Sequence, residues 1–175
     1  NGNQGVYCYY SDPLINKCVI RYHKYGLFGS NSEVAIINCI IRQNTSSGIC
    51  GCDGIITECE ISDNLGSGGI YSCNGPISRC LIKGNACYGI VFGGGDLTGS
   101  IKNCIVSGNK GRGIQSYSGK LIENCTIVGN KGNGCELSNV NIVLSNNIIA
   151  LNWGFGIDSR ANTLRYNNIW GNLSG

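Results

Sequence analysis

The amino-acid sequence predicts an all-β fold, a right-handed single-stranded parallel β-helix in which about eight coils of 20–24 residues stack into a solenoid. Three observations predict it: a repeat of that length, a short apolar strand with period-two alternation in each repeat, and Asn or Gly wherever strands are interrupted. Strands this short cannot bury a face alone, so each must pair with its copy in the next coil, about 4.8 Å away. Leucine-rich repeats have a similar length, but they need a Leu-rich pattern and helical segments that this sequence lacks.

One strand of each repeat directs a cysteine and an aliphatic residue to the same side, as Cys39 and Ile41 do. The cysteines are predicted to stack inside the solenoid as a ladder: Cys18, Cys39, Cys59, Cys80, Cys104 and Cys125. Asn147 and Asn167 take this position in the last two repeats. Free cysteine behaves as a small buried hydrophobe, and side chains that point in parallel strain disulfide geometry. We therefore expect reduced, packed thiols.

A polar column follows five residues after each ladder cysteine, and His23 begins it. It is predicted to form an asparagine ladder through Asn44, Asn64, Asn85, Asn109, Asn130 and Asn152, and then Asn172. A stacked Asn can donate its amide to the next Asn, and both Asn and Gly tolerate the left-handed backbone that a bend requires. His23 is the only histidine, so we interpret it as a stacking substitute rather than a catalytic base.

A second inward column follows a short turn and a glycine. It comprises Leu27, Ile49, Ile70, Ile90, Ile114, Cys135 and Ile157. The longest repeat runs from Cys80 to Cys104, and its extra residues, Gly93 to Asp96, are predicted to loop out at one corner.

Composition and charge exclude two classes of function. Only 13% of residues are charged, the net charge is +3, and the Lys and Arg residues are scattered, which argues against nucleic-acid binding. There is no apolar run long enough to span a membrane. The chain starts at Asn1 and contains no Met, so we expect residues 1–175 to be a single β-helix domain that is a segment or processed part of a longer chain.

Three phrases resemble secreted bacterial and archaeal right-handed parallel β-helix repeat proteins of the pectin-lyase-like superfamily. They are NCTIVGN (residues 124–130), IVLSNNIIALN (residues 142–152) and YNNIWGN (residues 166–172). The resemblance covers essentially the whole chain and implies the fold and a secreted or cell-surface location. Because the superfamily includes pectate lyases, polygalacturonases and uronan epimerases, it also raises the question of catalysis on a polysaccharide.

The acidic residues do not indicate an active site. Glycosidases of this fold need clustered carboxylates, whereas the Asp and Glu residues of this chain are predicted to be dispersed over different columns. Glu58 and Glu60 lie on either side of Cys59 and face outward; they could bind a cation, but a solvated surface strand is the favoured interpretation. The sequence therefore predicts no catalytic residue, no metal site and no cofactor, and it favours a non-enzymatic role.

Basic residues gather on one outward face of the N-terminal half. Arg21, Arg42 and Lys83 share a column, and Lys17 and Arg79 lie in the adjacent one. This patch could attract an acidic polysaccharide. It lacks the companion acids that would hold calcium.

Cys52 and Cys73 are the predicted disulfide pair, because each falls three residues after an inward Ile and they lie on adjacent coils.

An exposed apolar stripe is predicted along the C-terminal half, and such stripes mark contacts with another chain or a covering segment. Its members are Ile105, Val128, Ile148 and Trp170. No capping helix is evident at either end, and uncapped strand edges favour stacking. We therefore expect a non-catalytic extracellular structural protein that self-associates end to end or laterally, as a filament or as part of a surface protein. A polysaccharide-binding or polysaccharide-modifying module and an adhesin fragment are the alternatives.

Overall fold

The computed structural model describes residues 3–93, 99–117, 121–138, 141–159 and 163–174. In this part of the chain, twenty-four strands form three parallel sheets of eight strands each, which confirms the predicted β-helix. Seven full turns separate the first strand of each sheet from the last. The described residues include no helix that could cross a membrane. Most of the predicted corner loop, residues 94–96, lies outside the described residues.

Sheet A contains the longest strands. In spatial order it comprises β1 (Gln4–Tyr9), β4 (Tyr25–Ser32), β7 (Ile49–Cys52), β10 (Gly68–Cys73), β13 (Tyr88–Phe92), β16 (Ile114–Ser116), β19 (Cys135–Leu137) and β22 (Ile157–Ser159).

Sheet B follows sheet A along the chain in each coil. It comprises β2 (Leu14–Asn16), β5 (Ala35–Ile37), β8 (Ile56–Thr57), β11 (Ile77–Ser78), β14 (Ser100–Lys102), β17 (Leu121–Glu123), β20 (Val143–Ser145) and β23 (Thr163–Arg165).

Sheet C completes the coil. It comprises β3 (Val19–Arg21), β6 (Ile40–Arg42), β9 (Glu60–Ser62), β12 (Leu81–Lys83), β15 (Ile105–Ser107), β18 (Thr126–Val128), β21 (Ile148–Ala150) and β24 (Asn168–Trp170).

A single residue in the left-handed conformation makes the bend from sheet B to sheet C in every coil. Its φ lies between 51° and 56° at Lys17, Asn38, Glu58, Arg79, Asn103, Asn124, Asn146 and Tyr166. Asn reaches this region at lower cost than most residues, which accounts for its recurrence directly before the ladder cysteine.

A second left-handed residue ends each strand of sheet C. Its φ lies between 55° and 65° at Tyr22, Gln43, Asp63, Gly84, Gly108, Gly129, Leu151 and Gly171. The ladder asparagines come one residue after this position and do not occupy it. The role of these asparagines is therefore hydrogen bonding, and the residue before each of them makes the bend.

The asparagine ladder predicted from the sequence is present. Each Nδ2 donates to Oδ1 of the next Asn at 2.9–3.0 Å, from Asn44 through Asn152 to Asn172. The same Oδ1 atoms accept a backbone N–H from the coil below, and the first of these donors is His23 at 3.1 Å. Because Asn44 through Asn152 are fully buried, this network satisfies polar groups that would otherwise be costly in the core.

The cysteine ladder lies inside the solenoid at the bend between sheets B and C. Cys39, Cys59, Cys80, Cys104 and Cys125 are at most 3% exposed. Cys18, which was expected to be buried with them, is exposed, because it lies in the first coil and has a neighbouring coil on one side only. Asn147 and Asn167 continue the column, and Asn147 Oδ1 accepts the backbone N–H of Cys125 at 2.9 Å.

Candidate functional site on the outer face of sheet A

The outer face of sheet A changes from aromatic to polar along the solenoid axis. The strand register aligns one outward column through Tyr7, Phe28, Cys50, Tyr71, Val91, Gln115, Glu136 and Asp158. Glu136 and Asp158 are therefore neighbours on adjacent strands. This corrects the expectation that the acidic residues are dispersed, because Glu136 and Asp158 share one outward column of sheet A.

Glu136 is the centre of a hydrogen-bonded network. Its Oε2 forms an ion pair with Arg112 Nε and accepts Asn133 Nδ2 at 3.1 Å. Its Oε1 accepts Gln115 Nε2 at 3.3 Å. Among the four ion pairs of the described residues this one is the least exposed, with side-chain exposures of 33% for Arg112 and 20% for Glu136. Partial burial weakens solvent screening, so this carboxylate is held in place more firmly than the surface pairs.

Asn133 joins the two carboxylates. Its Nδ2 also donates to Asp158 Oδ2 at 3.2 Å, and its Oδ1 accepts the backbone N–H of Phe155 at 3.0 Å. With both ends of its amide engaged, Asn133 has a fixed orientation and holds Glu136 and Asp158 at a defined separation.

Two tyrosine hydroxyls border the network. Arg112 Nη1 donates to the Tyr88 hydroxyl at 3.1 Å, and the Arg112 guanidinium lies 5.5 Å from the centre of the Tyr88 ring. Gln115 Nε2 donates to the Tyr117 hydroxyl at 2.8 Å. Each hydroxyl accepts a hydrogen bond from the protein and therefore keeps its own proton for a further acceptor.

A groove of about 320 Å³ lies beside this network and is lined by Cys87, Tyr88, Gly111, Arg112, Gly132 and Asn133. Gly132 lets the adjacent coil pack closely here, since a Cβ on it would lie 2.9 Å from the backbone nitrogen of Arg112. The guanidinium, the Asn133 amide and the Tyr88 hydroxyl thus border a concave surface. Such a surface can bind a polar ligand by hydrogen bonds.

The chemistry of this site is hydrogen bonding and orientation. No group of three or more His, Cys, Asp or Glu side chains in the described part of the chain is arranged to hold a metal ion. Glu136 is engaged at both oxygens, whereas Asp158 is exposed and accepts one hydrogen bond from Asn133. Asp158 is thus the carboxylate with free acceptor capacity.

An aromatic platform covers the N-terminal end of the same face. Its members are Tyr7, Tyr9, Tyr10, Tyr25 and Phe28. The Tyr7 ring stacks on Phe28 at 5.9 Å and on Tyr9 at 6.4 Å. Tyr7, Tyr9 and Tyr10 are 56–68% exposed, so their faces are available to a ligand.

The predicted basic patch lies on sheet C and its edge, away from this network. Register places Arg21 and Arg42 in one column with Lys83, with Ser62 between them. Lys83 is paired with Glu60 at 3.2 Å, and Arg79 is paired with Glu58 at 2.9 Å. Lys17 is exposed at its bend. The ion pairs reduce the positive charge of the patch, so Glu58 and Glu60 act here as partners of basic residues.

The predicted apolar stripe is only partly exposed. Ile105, Ile148 and Trp170 are 45–52% exposed, whereas Val128 is half-buried. Ala150, beside Val128 in the same column, is buried at 1% exposure. The stripe is therefore discontinuous.

Cys52 and Cys73 lie on adjacent coils, and both are buried free thiols in the structure. Cys52 donates its backbone N–H to Cys73 Sγ at 3.3 Å, and a hydrogen bond to Cys73 together with burial raises the pKa of Cys52. The sulfur of Cys73 therefore packs against the Cys52 backbone, and the disulfide between these two cysteines stays a prediction.

The sequence carries a signal for this network that was not among the predicted sites. Gln115, Glu136 and Asp158 each follow directly after a member of the second inward column, namely Ile114, Cys135 and Ile157. Alternation alone places these three residues outward and in line. Arg112 and Asn133 precede the same column by two residues, and they too align.

The fold matches known proteins. A family model described as "Right handed beta helix region" matches residues 1–120. Among solved structures, the Azotobacter vinelandii mannuronan C-5 epimerase AlgE4 A-module is similar, with a TM-score of 0.57 and 14% identity. The match covers 94% of this chain and 61% of that chain, so this chain spans less than two thirds of the epimerase module. Comparison with curated protein sequences gives no match. Since the family model covers well over half of its residues, the chain belongs to the right-handed β-helix family.

Proposed function

We propose that this β-helix binds polysaccharide along the outer face of sheet A. The observation that carries the proposal is the Arg112–Glu136 network, which is flanked by two tyrosine hydroxyls and a groove. Sugar hydroxyls are both donors and acceptors, and the network offers Tyr protons, amide groups and carboxylate oxygens within one area. The aromatic platform on the same face offers ring surfaces for the apolar faces of pyranose units.

The length of the face fits a polymer better than a small molecule. Tyr7 and Asp158 lie seven strands apart in one column, which is about 34 Å at the usual strand spacing. Val91 and Gln115, which lie between the two ends of this column, are 5% and 6% exposed, so the platform and the network offer two separate contact areas for a polymer. The similar epimerase module is named for a polysaccharide, mannuronan, which supports this class of ligand, and a secreted or cell-surface location follows from the same proposal.

Calorimetric titration with oligosaccharides tests the proposal. The panel contains neutral glucans and mannans together with acidic galacturonans and alginates. Arg112→Ala breaks the ion pair and the Tyr88 hydrogen bond, and we expect binding to weaken at least tenfold, as expected for loss of a charge-assisted interaction of about 1.4 kcal/mol or more.

Lys102→Ala is the matched control, because it breaks the Lys102–Glu123 ion pair on sheet B, at 3.3 Å, and leaves sheet A intact. Arg42→Ala addresses the basic patch on sheet C. If Arg42→Ala weakens binding while Arg112→Ala does not, the glycan binds to sheet C. No binding by any glycan at millimolar concentration would overturn the proposal altogether.

Self-association is the second candidate function, and one observation favours it. The outward apolar side chains of Ile105, Ile148 and Trp170 on sheet C are 45–52% exposed. Exposed apolar side chains on one face can mark a contact with a second copy.

Electron microscopy and light scattering distinguish this role. Filaments or discrete oligomers would support assembly, and we expect Ile148→Lys to abolish them because a buried unpaired charge is costly. A monomer at all concentrations would exclude it, whatever the outcome of the glycan titrations.

A further inference from the structure

The cysteine ladder brings five buried sulfur atoms into one line. In each coil the residue after the ladder cysteine donates its backbone N–H to the carbonyl of the cysteine one coil below, as Glu60 does to Cys39 at 2.9 Å and Leu81 does to Cys59 at 2.9 Å. Consecutive cysteines are thus direct neighbours in a parallel arrangement. No proposed role in glycan binding uses them, since they face the interior.

The spacing of the strands suits one class of metal ion. Parallel side chains on neighbouring strands are separated by about 4.8 Å. A metal ion that bridges two sulfurs in a straight line needs them about 4.6 Å apart, twice a metal–sulfur bond of about 2.3 Å. The strand spacing therefore matches linear two-coordinate geometry.

The surroundings of the ladder disfavour higher coordination. Backbone carbonyl oxygens lie close to the sulfurs, such as Thr57 O at 3.1 Å from Cys59 Sγ and Ser78 O at 3.1 Å from Cys80 Sγ, and the backbone N–H of Cys39 donates to Cys59 Sγ at 3.4 Å. No described His, Asp or Glu combines with ladder cysteines into a group of three potential ligands. Tetrahedral zinc needs four such ligands, whereas soft ions such as Cu⁺ prefer thiolates alone.

We propose that the cysteine ladder binds soft monovalent metal ions, Ag⁺ or Cu⁺, each bridging the sulfurs of two neighbouring coils. The ion displaces one proton: M⁺ and two thiols give a complex of one thiolate, the metal and one thiol, and one H⁺ is released to solvent. This complex is neutral, so it avoids a net buried charge. No electrons are transferred, and no co-reactant is needed.

Two triple variants test the proposal with a matched design. The alternating variant, Cys39→Asn with Cys80→Asn and Cys125→Asn, leaves three ladder thiols with no two adjacent. The block variant, Cys80→Asn with Cys104→Asn and Cys125→Asn, also leaves three, and Cys18, Cys39 and Cys59 remain neighbours. Asn is the chosen replacement because Asn147 already occupies this column, and the six other cysteines are common to both variants.

Reduced protein is titrated with Ag⁺ in chloride-free buffer, and bound silver is counted after gel filtration. We expect the block variant to retain at least one more Ag⁺ per chain than the alternating variant, with one proton released per additional ion. X-ray absorption should find two sulfur neighbours per silver, and Zn²⁺ in place of Ag⁺ should give no difference between the variants. Circular dichroism establishes that both are folded, and if the alternating Asn variant is not, Ser at the same three positions replaces it.

Equal silver binding by the two folded variants would overturn the proposal, since the silver would then be held by thiols irrespective of their adjacency. Three or four sulfur neighbours per silver, or a zinc difference as large as the silver difference, would overturn the two-coordinate geometry. These outcomes do not depend on glycan binding at sheet A.

Discussion

Asn147 and Cys125 lie at equivalent positions in adjacent coils, and each donates to a backbone carbonyl of the preceding coil, Asn147 more strongly than Cys125. Asn147 Nδ2 donates to Ile122 O at 2.9 Å, whereas Cys125 Sγ lies 3.7 Å from the equivalent carbonyl of Ile101. The two side chains thus occupy equivalent positions and serve the same carbonyl column. The cysteine ladder is in this sense a weaker version of an asparagine ladder.

Replacement of Cys125 by Asn should therefore be tolerated. We expect Cys125→Asn to change the free energy of unfolding by less than about 1 kcal/mol, because a new hydrogen bond from the Asn side-chain amide to Ile101 O offsets the strain of a slightly larger side chain. Cys125→Ala removes the sulfur and leaves a cavity, so we expect a loss of about 1–2 kcal/mol. Urea denaturation measures both, and a larger loss for Asn than for Ala would contradict the equivalence of the two positions.

The asparagine ladder should be far less tolerant. Asn109 Oδ1 accepts the Asn85 side-chain amide at 3.0 Å, and its Nδ2 donates to Asn130 Oδ1 at 2.9 Å. Asn109→Ala removes the Asn109 partner of the Asn85 backbone N–H, of one Asn85 side-chain N–H and of the Ile82 carbonyl in a fully buried column. We expect a loss of about 3 kcal/mol or more in the free energy of unfolding. Asn168→Ala, at an exposed position on sheet C, is the control and should cost less than about 0.5 kcal/mol.

The sequence predicts the ladders and the sheets because both follow from one strict period. Cys39 and Asn44 keep their spacing in every full repeat, and a column that recurs at each coil must stack. The exposure of Cys18 depends on which neighbours its coil has, which periodicity does not encode. The predicted burial of Cys18 was accordingly wrong.

The candidate site was harder to predict for a different reason. Its column could be aligned, but the network depends on side-chain rotamers, since Asn133 reaches Glu136 in its own coil and Asp158 in the next. A surface carboxylate looks the same in sequence whether it is solvated or held by three donors. The distinction appears only once the side chains of adjacent coils are placed together.

The left-handed residues that follow the strands of sheet C lead to a prediction about stability. Gly129 has a φ of 65°, and a Cβ there would meet no atom within 4 Å. Gly129→Ala should therefore cost about 1 kcal/mol purely through the backbone. Leu151 occupies the same position one coil later with a φ of 55° and is 49% exposed, so Leu151→Gly should recover a similar amount, less any lost packing.

Thermal and urea unfolding of Gly129→Ala and Leu151→Gly check this directly. Opposite signs are expected for the two changes. The same sign for both would mean that contacts of the Leu151 side chain outweigh the cost of its backbone conformation.

Stability should fall at alkaline pH because of Cys135. Burial raises the pKa of this fully buried thiol to about 12 from the ordinary value of 9.0. The unfolded chain loses this proton above pH 9 while the folded chain retains it until about pH 12, so the contribution to stability is complete below pH 9 and is lost as the pH rises through that window. The slope approaches about 1.4 kcal/mol per pH unit.

Cys135→Val isolates this effect, because Ile fills the equivalent position in neighbouring coils, as at Ile114 and Ile157. Urea midpoints at pH 8 and pH 10.5 should show a larger decrease for the wild-type chain than for Cys135→Val, by about 1–2 kcal/mol. Cys18→Ser, at an exposed thiol, is the control and should leave the decrease unchanged. If Cys135→Val and the wild-type chain lose the same stability, the alkaline sensitivity arises from other thiols or from tyrosines, and burial of Cys135 does not control it.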